Sequence, residues 1–316
     1  MGANMTVAWT PREPCPMCDL SVAVTGANSS VGTALLTRLL GQGDIRVVAG
    51  VRSIKALEGL PRSPRLIPAV IDYDRPESLT AALRDVDCVV HLAGVLFESK
   101  ATDYQTANVG TTRALVAAAQ ATGVSQVVFI SSLGADPNST NGYFRSKGEA
   151  ETVVSAASMD ATIIRTPLLL GPDTSGGRAL FRTASQSSVR VLGGGAHRLR
   201  PLDVDDLCNG ICACTQRPVP GVRTVELVGP TTLTYRELLE QMAGLQGHEL
   251  TVGSTPVRLA RFGAGLVGLT RTGGMTPTVI DVITSDEMVT HNADTDLGIT
   301  LTPLSDTLAK LKDHDS

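Results

Sequence analysis

The chain reads as an α/β protein: a doubly wound parallel sheet with a smaller C-terminal region that covers a substrate. Three observations lead there. Short apolar runs alternate with helix-patterned segments from residue 20 to about 170, and runs that are apolar at nearly every position belong in strands covered on both faces. The first run ends in a turn of small residues, Gly26 to Gly32, that leads directly into a helical pattern. From Gly171 onward the alternation gives way to glycine-punctuated sequence, with Gly176, Gly177 and Gly193 to Gly195 breaking the pattern.

The elements follow in order. Leu20 to Val24 is the first strand, Val31 to Leu40 a helix and Ile45 to Val51 the second strand. Arg65 to Ile71 is a third strand, placed at a sheet edge because Pro68 cannot donate to a ladder. A helix over Glu77 to Arg84 precedes the fourth strand, Cys88 to Leu92. A long helix over Tyr104 to Thr122 stops at Gly123, before the fifth strand at Val127 to Ile130. Tyr143 to Ala157 is a helix and Ala161 to Arg165 the sixth strand. Later, Val222 to Val228 reads as a strand, and Tyr235 to Leu245 as a helix capped by Thr234. The expected organisation is a leader over 1–18, a dinucleotide-binding domain over 19–172 and a substrate-binding region over 173–316, with 203–229 returning to the first domain.

Composition narrows the function. With 42% hydrophobic and 18% charged residues the chain can bury a sizeable core. A net charge of -4 and 3% aromatics argue against a nucleic-acid partner, by bulk electrostatics and by the scarcity of stacking platforms. No apolar stretch reaches the ~18 residues of a membrane span. The most apolar late segment, Val257 to Thr270, carries two arginines and three glycines and is expected as a pocket wall or core helix ahead of a membrane-surface helix. The first 18 residues lack the charged and apolar regions of a signal peptide, so a cytoplasmic location with reduced thiols is expected. Cys15 and Cys18 have metal-ligand spacing, as Cys208 and Cys212 share a helix face, but no repeating Cys/His framework joins them and no metal site is expected.

Two constellations carry chemistry. The first is the turn Gly26-Ala27-Asn28-Ser29-Ser30-Val31-Gly32, where small residues let the backbone approach a pyrophosphate at a helix N-terminus. The second strand then ends in Arg52-Ser53, without the carboxylate that binds a ribose 2′-hydroxyl; a guanidinium beside a hydroxyl suits a 2′-phosphate, so NADP is expected over NAD. Asp72, with Tyr73 beside it, is placed to meet the adenine edge. The second constellation is Ser131-Ser132 at the end of the fifth strand, Tyr143 eleven residues after Ser132, and Lys147 one helical turn further. Tyr143 and Lys147 share a helix face. An ammonium beside a phenol favours the phenolate, and a serine hydroxyl can polarise a carbonyl as hydride arrives.

The chain resembles the short-chain dehydrogenase/reductase superfamily in its extended or atypical branch, a Rossmann-fold family. The resemblance runs from residue 20 to about 230: VTGANSSVG, His91-Leu92-Ala93-Gly94, NVGTT at Asn108 to Thr112, FISSLGA at Phe129 to Ala135, YFRSK at Tyr143 to Lys147, IIRTPLLLGP at Ile163 to Pro172 and RPLDVDDL at Arg200 to Leu207. It implies Tyr143 as general acid/base, Lys147 as its electrostatic helper and a holder of the nicotinamide ribose, and Ser132 as the carbonyl-orienting hydroxyl. It also implies that Asn108 supports a proton-relay water, that Leu92, Ala93 and Gly94 line the cofactor, and that Pro167 and Leu168 face the nicotinamide. A homodimer is the common assembly of such proteins. Two departures stand out: Ser29 occupies the position of the middle glycine, and the serine-to-tyrosine interval is shorter than in sugar-nucleotide epimerases. The nearest branch resembles the accessory nucleotide-binding subunit of respiratory complex I, some of whose members hold NADP(H) for structural reasons.

The expected function is therefore an NADP(H)-dependent oxidoreductase acting on a carbonyl or hydroxyl carbon of a small organic substrate. Its alternatives are a nucleotide-sugar epimerase or dehydratase, and a non-catalytic NADP(H)-binding assembly protein. Arg178, Arg182, His197, Arg198 and Arg200 are the cations that could meet an acidic substrate group.

Overall fold

Val22, Val47, Val90 and Val128 pack in one hydrophobic layer, and their chain neighbours Ala23, Val48, Val89 and Val127 pack in another. Successive residues of each strand thus enter opposite layers, as a sheet covered on both faces requires. The structure, a computed structural model, describes residues 20–268 and 275–314. The leader with Cys15 and Cys18 lies outside the described residues, as do the last two residues of the apolar segment ending at Thr270.

The sheet has seven strands. β1 (Leu20–Thr25), β2 (Ile45–Val51), β3 (Leu66–Val70), β4 (Cys88–His91), β5 (Gln126–Ser132) and β6 (Asp160–Thr166) are joined by Val222–Glu226 in the order β3-β2-β1-β4-β5-β6 and then that seventh strand. Every pairing is parallel. The doubly wound Rossmann arrangement is as expected, and β3 with its Pro68 is an edge strand. Helices α1 (Ser30–Leu40), α2 (Pro76–Ala82), α3 (Thr111–Thr122) and α4 (Gly142–Ser155) make the crossovers. The strand order reverses between β1 and β4, so the cleft outside their carboxyl ends is where such a sheet takes its ligand.

The helix expected from Tyr104 begins differently. Gln105–Gly110 is a wider π-helical turn that runs on into α3. Thr111 and Thr112 each donate a hydroxyl to the carbonyl four residues back, on Ala107 and Asn108, at 2.6 Å. Back-bonding of this kind competes with the regular ladder, and the widened turn buries Asn108 where its side chain reaches Val95.

Beyond Gly171 the chain builds a second core. α5 (Ser175–Ala184), α7 (Tyr235–Leu245) and the helix Leu304–His314 pack Leu180, Leu238, Met242 and Leu308 together. α7 has the expected limits, and Thr234 and Glu237 close a full capping box at its start. α6 (Val204–Gln216) returns to the large sheet and packs on α1. The RPLDVDDL motif acts as a fastener: Asp203 caps α6 and accepts from Thr307 (2.8 Å) and Lys310 (2.9 Å), while Asp206 accepts from the Thr302 backbone (2.7 Å) and hydroxyl (2.8 Å). Cys88, Cys208, Cys212 and Cys214 are all buried, and burial raises each thiol above its ordinary pKa.

The segment expected as a pocket wall or core helix forms α8 (Val257–Gly268), and in its first two turns Leu259 and Phe262 face solvent. Its three glycines and two arginines, Arg258 and Arg261, interrupt the apolar face that a core helix needs. α8 packs instead against α9 (Pro277–Ile283), which in turn lies on α4.

Candidate active site

The turn after β1 is built around two glycines with different tasks. Gly26 has φ of +73°, and a Cβ there would lie 3.4 Å from the Leu92 carbonyl carbon and the Ala93 nitrogen. Gly32 is needed for space: a Cβ would sit 2.4 Å from the Gly26 carbonyl oxygen. Ser29, the departure from the glycine pattern, is the N-cap of α1, its hydroxyl accepting the Gly32 N–H at 3.0 Å. The first-turn N–H groups of Ser30 and Val31 have no carbonyl one turn back, and with Asn28 exposed beside them they form an anion-accepting rim. Gly32 lets the first turn of α1 pack against the Gly26–Ala27 backbone, as the last glycine of a dinucleotide-binding turn does, so these residues fit that group.

Around the adenosine end the expected residues separate. Arg52 and Ser53 are exposed at the end of β2, and Ser53 caps the short 3-10 helix Ile54–Gly59 by accepting the Ala56 N–H at 3.3 Å. Asp72 is committed locally, accepting the Asp74 N–H at 3.0 Å and pairing with Arg75 at 3.4 Å. Tyr73 turns inward, its ring 6.3 Å from that of His91; burial raises its phenol, against smaller lowering effects from Thr25 and Arg52.

His91 is fully buried and lies at the centre of a hydroxyl relay. Its Nδ1 is 2.7 Å from Thr25 Oγ1 and its Nε2 3.2 Å from Thr112 Oγ1. Thr112 spends its single proton on the Asn108 carbonyl, so it accepts from Nε2–H, and Nδ1 accepts from Thr25. Burial, reinforced by the Lys147 charge, lowers His91 to about 3 and keeps it neutral at physiological pH. It is a structural hub at the end of β4, in the tautomer its neighbours dictate.

Ser132 ends β5 and hydrogen-bonds with Tyr143 of α4, and Lys147, one turn further along α4, reaches β5 at Ile130. Tyr143 enters from the first turn of α4, whose N-cap Asn141 accepts the Tyr143 and Phe144 N–H groups. Burial raises the Tyr143 phenol, and a hydrogen bond with Ser132 pulls it partway back. Tyr104 packs edge-on against it, ring centroids 5.9 Å apart, and is anchored by its own hydroxyl on the Leu96 carbonyl at 2.8 Å. Lys147 is buried, donates to the Ile130 carbonyl at 2.8 Å and lies 4.3 Å from the Phe129 ring centroid. Burial lowers its pKa to about 8, with Glu151 opposing. Asn108 sits beneath: its amide oxygen accepts the Val95 N–H at 2.8 Å, and its amide nitrogen donates to Ser146 at 2.9 Å and Val95 at 3.2 Å. A Cβ on Gly94 would stand 3.0 Å from that amide oxygen and 3.9 Å from Lys147 Nζ, which puts the His91–Gly94 stretch in the same pocket.

Pro167 and Leu168 follow β6, and a residue with no sequence signal holds them. Glu287, in an irregular stretch, accepts the Leu168 N–H at 2.7 Å and the Arg200 N–H at 3.1 Å. Of the cations that could meet an acidic substrate, Arg200 is bound to the Gly229 carbonyl, Arg178 pairs loosely with Asp173 at 3.8 Å, and His197 stacks on Tyr235. Arg182 and Arg198 are exposed. Among the described residues no group of His, Cys, Asp and Glu is arranged to hold a metal ion, and no helix is long and apolar enough to cross a membrane.

Known proteins resemble this chain in sequence and in fold. A ceramide reductase from Caulobacter vibrioides is 27% identical over 226 residues, 72% of this chain and 70% of that protein. The 40 kDa subunit of mitochondrial NADH-ubiquinone oxidoreductase from Neurospora crassa is 24% identical over 70% of this chain, and a mitochondrial NADH dehydrogenase alpha subcomplex subunit 9 from Arabidopsis thaliana 27% over 69%. The matches span only 59% and 56% of those two subunits' own lengths. Among solved structures, MoeE5 in complex with UDP-glucose and NAD superposes with a TM-score of 0.74 at 21% identity, covering 93% of this chain and 98% of that one. A UDP-glucuronic acid 4-epimerase from Bacillus cereus, with the same coverages, gives 0.71 at 19%. At these identities the structures share the fold. Residues 26–191, from the glycine turn through the Tyr143 helix and beyond, match the family described as NAD(P)H-binding, and the chain belongs to that family.

Proposed function

We propose that the protein is an NADP(H)-dependent reductase whose Tyr143 gives a proton to the oxygen of a substrate carbonyl. The observation that carries this reading is the hydrogen bond between the half-buried Tyr143 and Ser132, with the buried Lys147 one turn along the same helix and the Tyr143 phenol raised by burial. A neutral phenol is the acid that carbonyl reduction calls for, and Ser132, its hydrogen-bond partner, can share the same substrate oxygen. Bound NADP(H) would supply the hydride to the carbonyl carbon. The turn from Gly26 to Gly32 would hold its pyrophosphate, Arg52 and Ser53 its 2′-phosphate, and Pro167 and Leu168 the wall beside its nicotinamide. Lys147 would contribute positive charge one helical turn from the phenol, and Asn108 fixes the floor through Val95 and Ser146. That a curated relative is named a ceramide reductase supports reduction as the direction of the chemistry.

The test is a fluorescence titration with NADPH and NADH, followed by a panel of ketones and aldehydes on the wild type and on Tyr143→Phe. The expected result is tighter NADPH binding, and oxidation of NADPH that falls by at least roughly a hundredfold in the variant, the scale of a lost general acid. Equal or better NADH binding would overturn the role of Arg52. Cofactor binding without turnover of any carbonyl would turn the reading toward an assembly role. A retained cofactor that is recycled on a nucleotide sugar would turn it toward epimerase chemistry.

A further inference from the structure

The segment between residues 250 and 280 is a basic island: it contains Arg258, Arg261 and Arg271 and no carboxylate, in a chain of net charge -4. Within it, helical spacing puts Arg258, Leu259, Arg261 and Phe262 on one side of α8. All four are exposed, Leu259 by 67% and Phe262 by 69%. Met275, just before α9, is 53% exposed. Arg261 reaches Asp281 of α9 at 3.3 Å, while Arg258 points outward beside the two apolar side chains.

α8 is linked through α9 to the helix that carries Tyr143: it rests on α9, and α9 rests on α4. The link is specific: the Asn141 side chain, which caps α4, donates to the Thr278 carbonyl of α9 at 3.0 Å.

We propose that the exposed face of α8 docks on an anionic lipid surface, with Leu259 and Phe262 entering the interface and Arg258 meeting the headgroups. The combination of apolar residues flanked by cations is what an interfacial helix uses. A second copy of the chain fits less well, because a two-fold contact would set the same arginines against each other. The proposal goes beyond the reductase reading and stands without it.

Sedimentation of the full chain with phosphatidylcholine vesicles, with and without about 30% phosphatidylglycerol, tests it. Binding is expected only to the anionic vesicles, weakening with salt. The Leu259→Gln/Phe262→Gln double variant should bind roughly tenfold more weakly or worse, and Arg258→Gln should flatten the salt dependence. Titration with NADPH on each variant reports whether the rest of the chain is intact, and a wild type that fails to bind NADPH yet still sediments would sink the reductase reading alone. The docking proposal is overturned if the wild type stays off anionic vesicles, or if the double variant sediments as well as the wild type. It is equally overturned if size-exclusion chromatography shows a dimer that the double variant dissociates, which would give the face to a second copy.

Discussion

Glu287 Oε1 accepts the backbone N–H of Leu168 at 2.7 Å, so a carboxylate from the C-terminal region fixes the segment that follows β6. Its other oxygen takes the Arg200 N–H, and the two bonds tie three distant stretches of chain at one point. Burial pushes Glu287 up to about 7, with the two N–H bonds opposing. The folded protein therefore keeps a proton there between about pH 4.5 and 7 that the unfolded chain releases, and stability should fall as pH rises through that window. Glu287→Ala should leave two backbone donors without acceptors and cost about 1–3 kcal/mol, read by thermal unfolding. Glu287→Gln should flatten the dependence between pH 4.5 and 7; an unchanged slope would mean that Glu287 does not titrate there.

Lys147 gives a prediction of the opposite kind. Its charge is held in a buried site with a pKa of about 8, so the positive charge one helical turn from Tyr143 is lost as pH rises past that value. For the reductive reaction, kcat/KM should decline above about pH 8, and Lys147→Arg, which cannot lose its proton in that range, should remove the decline even where it lowers the maximum. A profile with the same alkaline limb in both proteins would assign the limb to another group.

His91 predicts acid sensitivity. The unfolded chain binds a proton there near 6.5, which the folded one refuses until about 3, so stability should fall as pH drops below 6.5. His91→Ala removes the partner of the Thr25 and Thr112 hydroxyls and the ring stacked on Phe129, and should cost roughly 3 kcal/mol. Denaturant titrations at pH 5 and 7 would check both: a wild type equally stable at the two would argue against a buried neutral imidazole.

Gly32 should tolerate nothing larger. An added methyl at 2.4 Å from the Gly26 carbonyl must push the turn away from α1, so Gly32→Ala should weaken NADPH binding by roughly tenfold or more. Ser29→Gly, which removes only the cap, should cost a few tenths of a kcal/mol and leave binding nearly intact. Loss of binding in Ser29→Gly but not in Gly32→Ala would reverse the roles assigned to them.

Local pattern was enough to place most of this architecture. The double burial of Val22 and Ala23, of Val47 and Val48, and of Val89 and Val90 is written in their unbroken apolar runs, and Pro68 announced an edge strand. The cap at Thr234 needed only its own neighbours, as did the Tyr143–Lys147 spacing on α4. α8 was misread because apolar content alone does not say whether a face is covered, and only its packing on α9 shows which side is left open.

Sequence alone determined the order of strands and helices, the glycine turn and the serine, tyrosine and lysine of the candidate site, because each depends on interactions between residues a few positions apart. Tertiary structure decided the rest. It made Ser29 a cap, turned Tyr73 inward onto His91, spent Asn108 on Val95 and Ser146, and brought Glu287 against Leu168, 119 residues away in the chain. A contact across that distance leaves no periodic trace in the sequence, since either partner alone is an ordinary residue until packing excludes water from both.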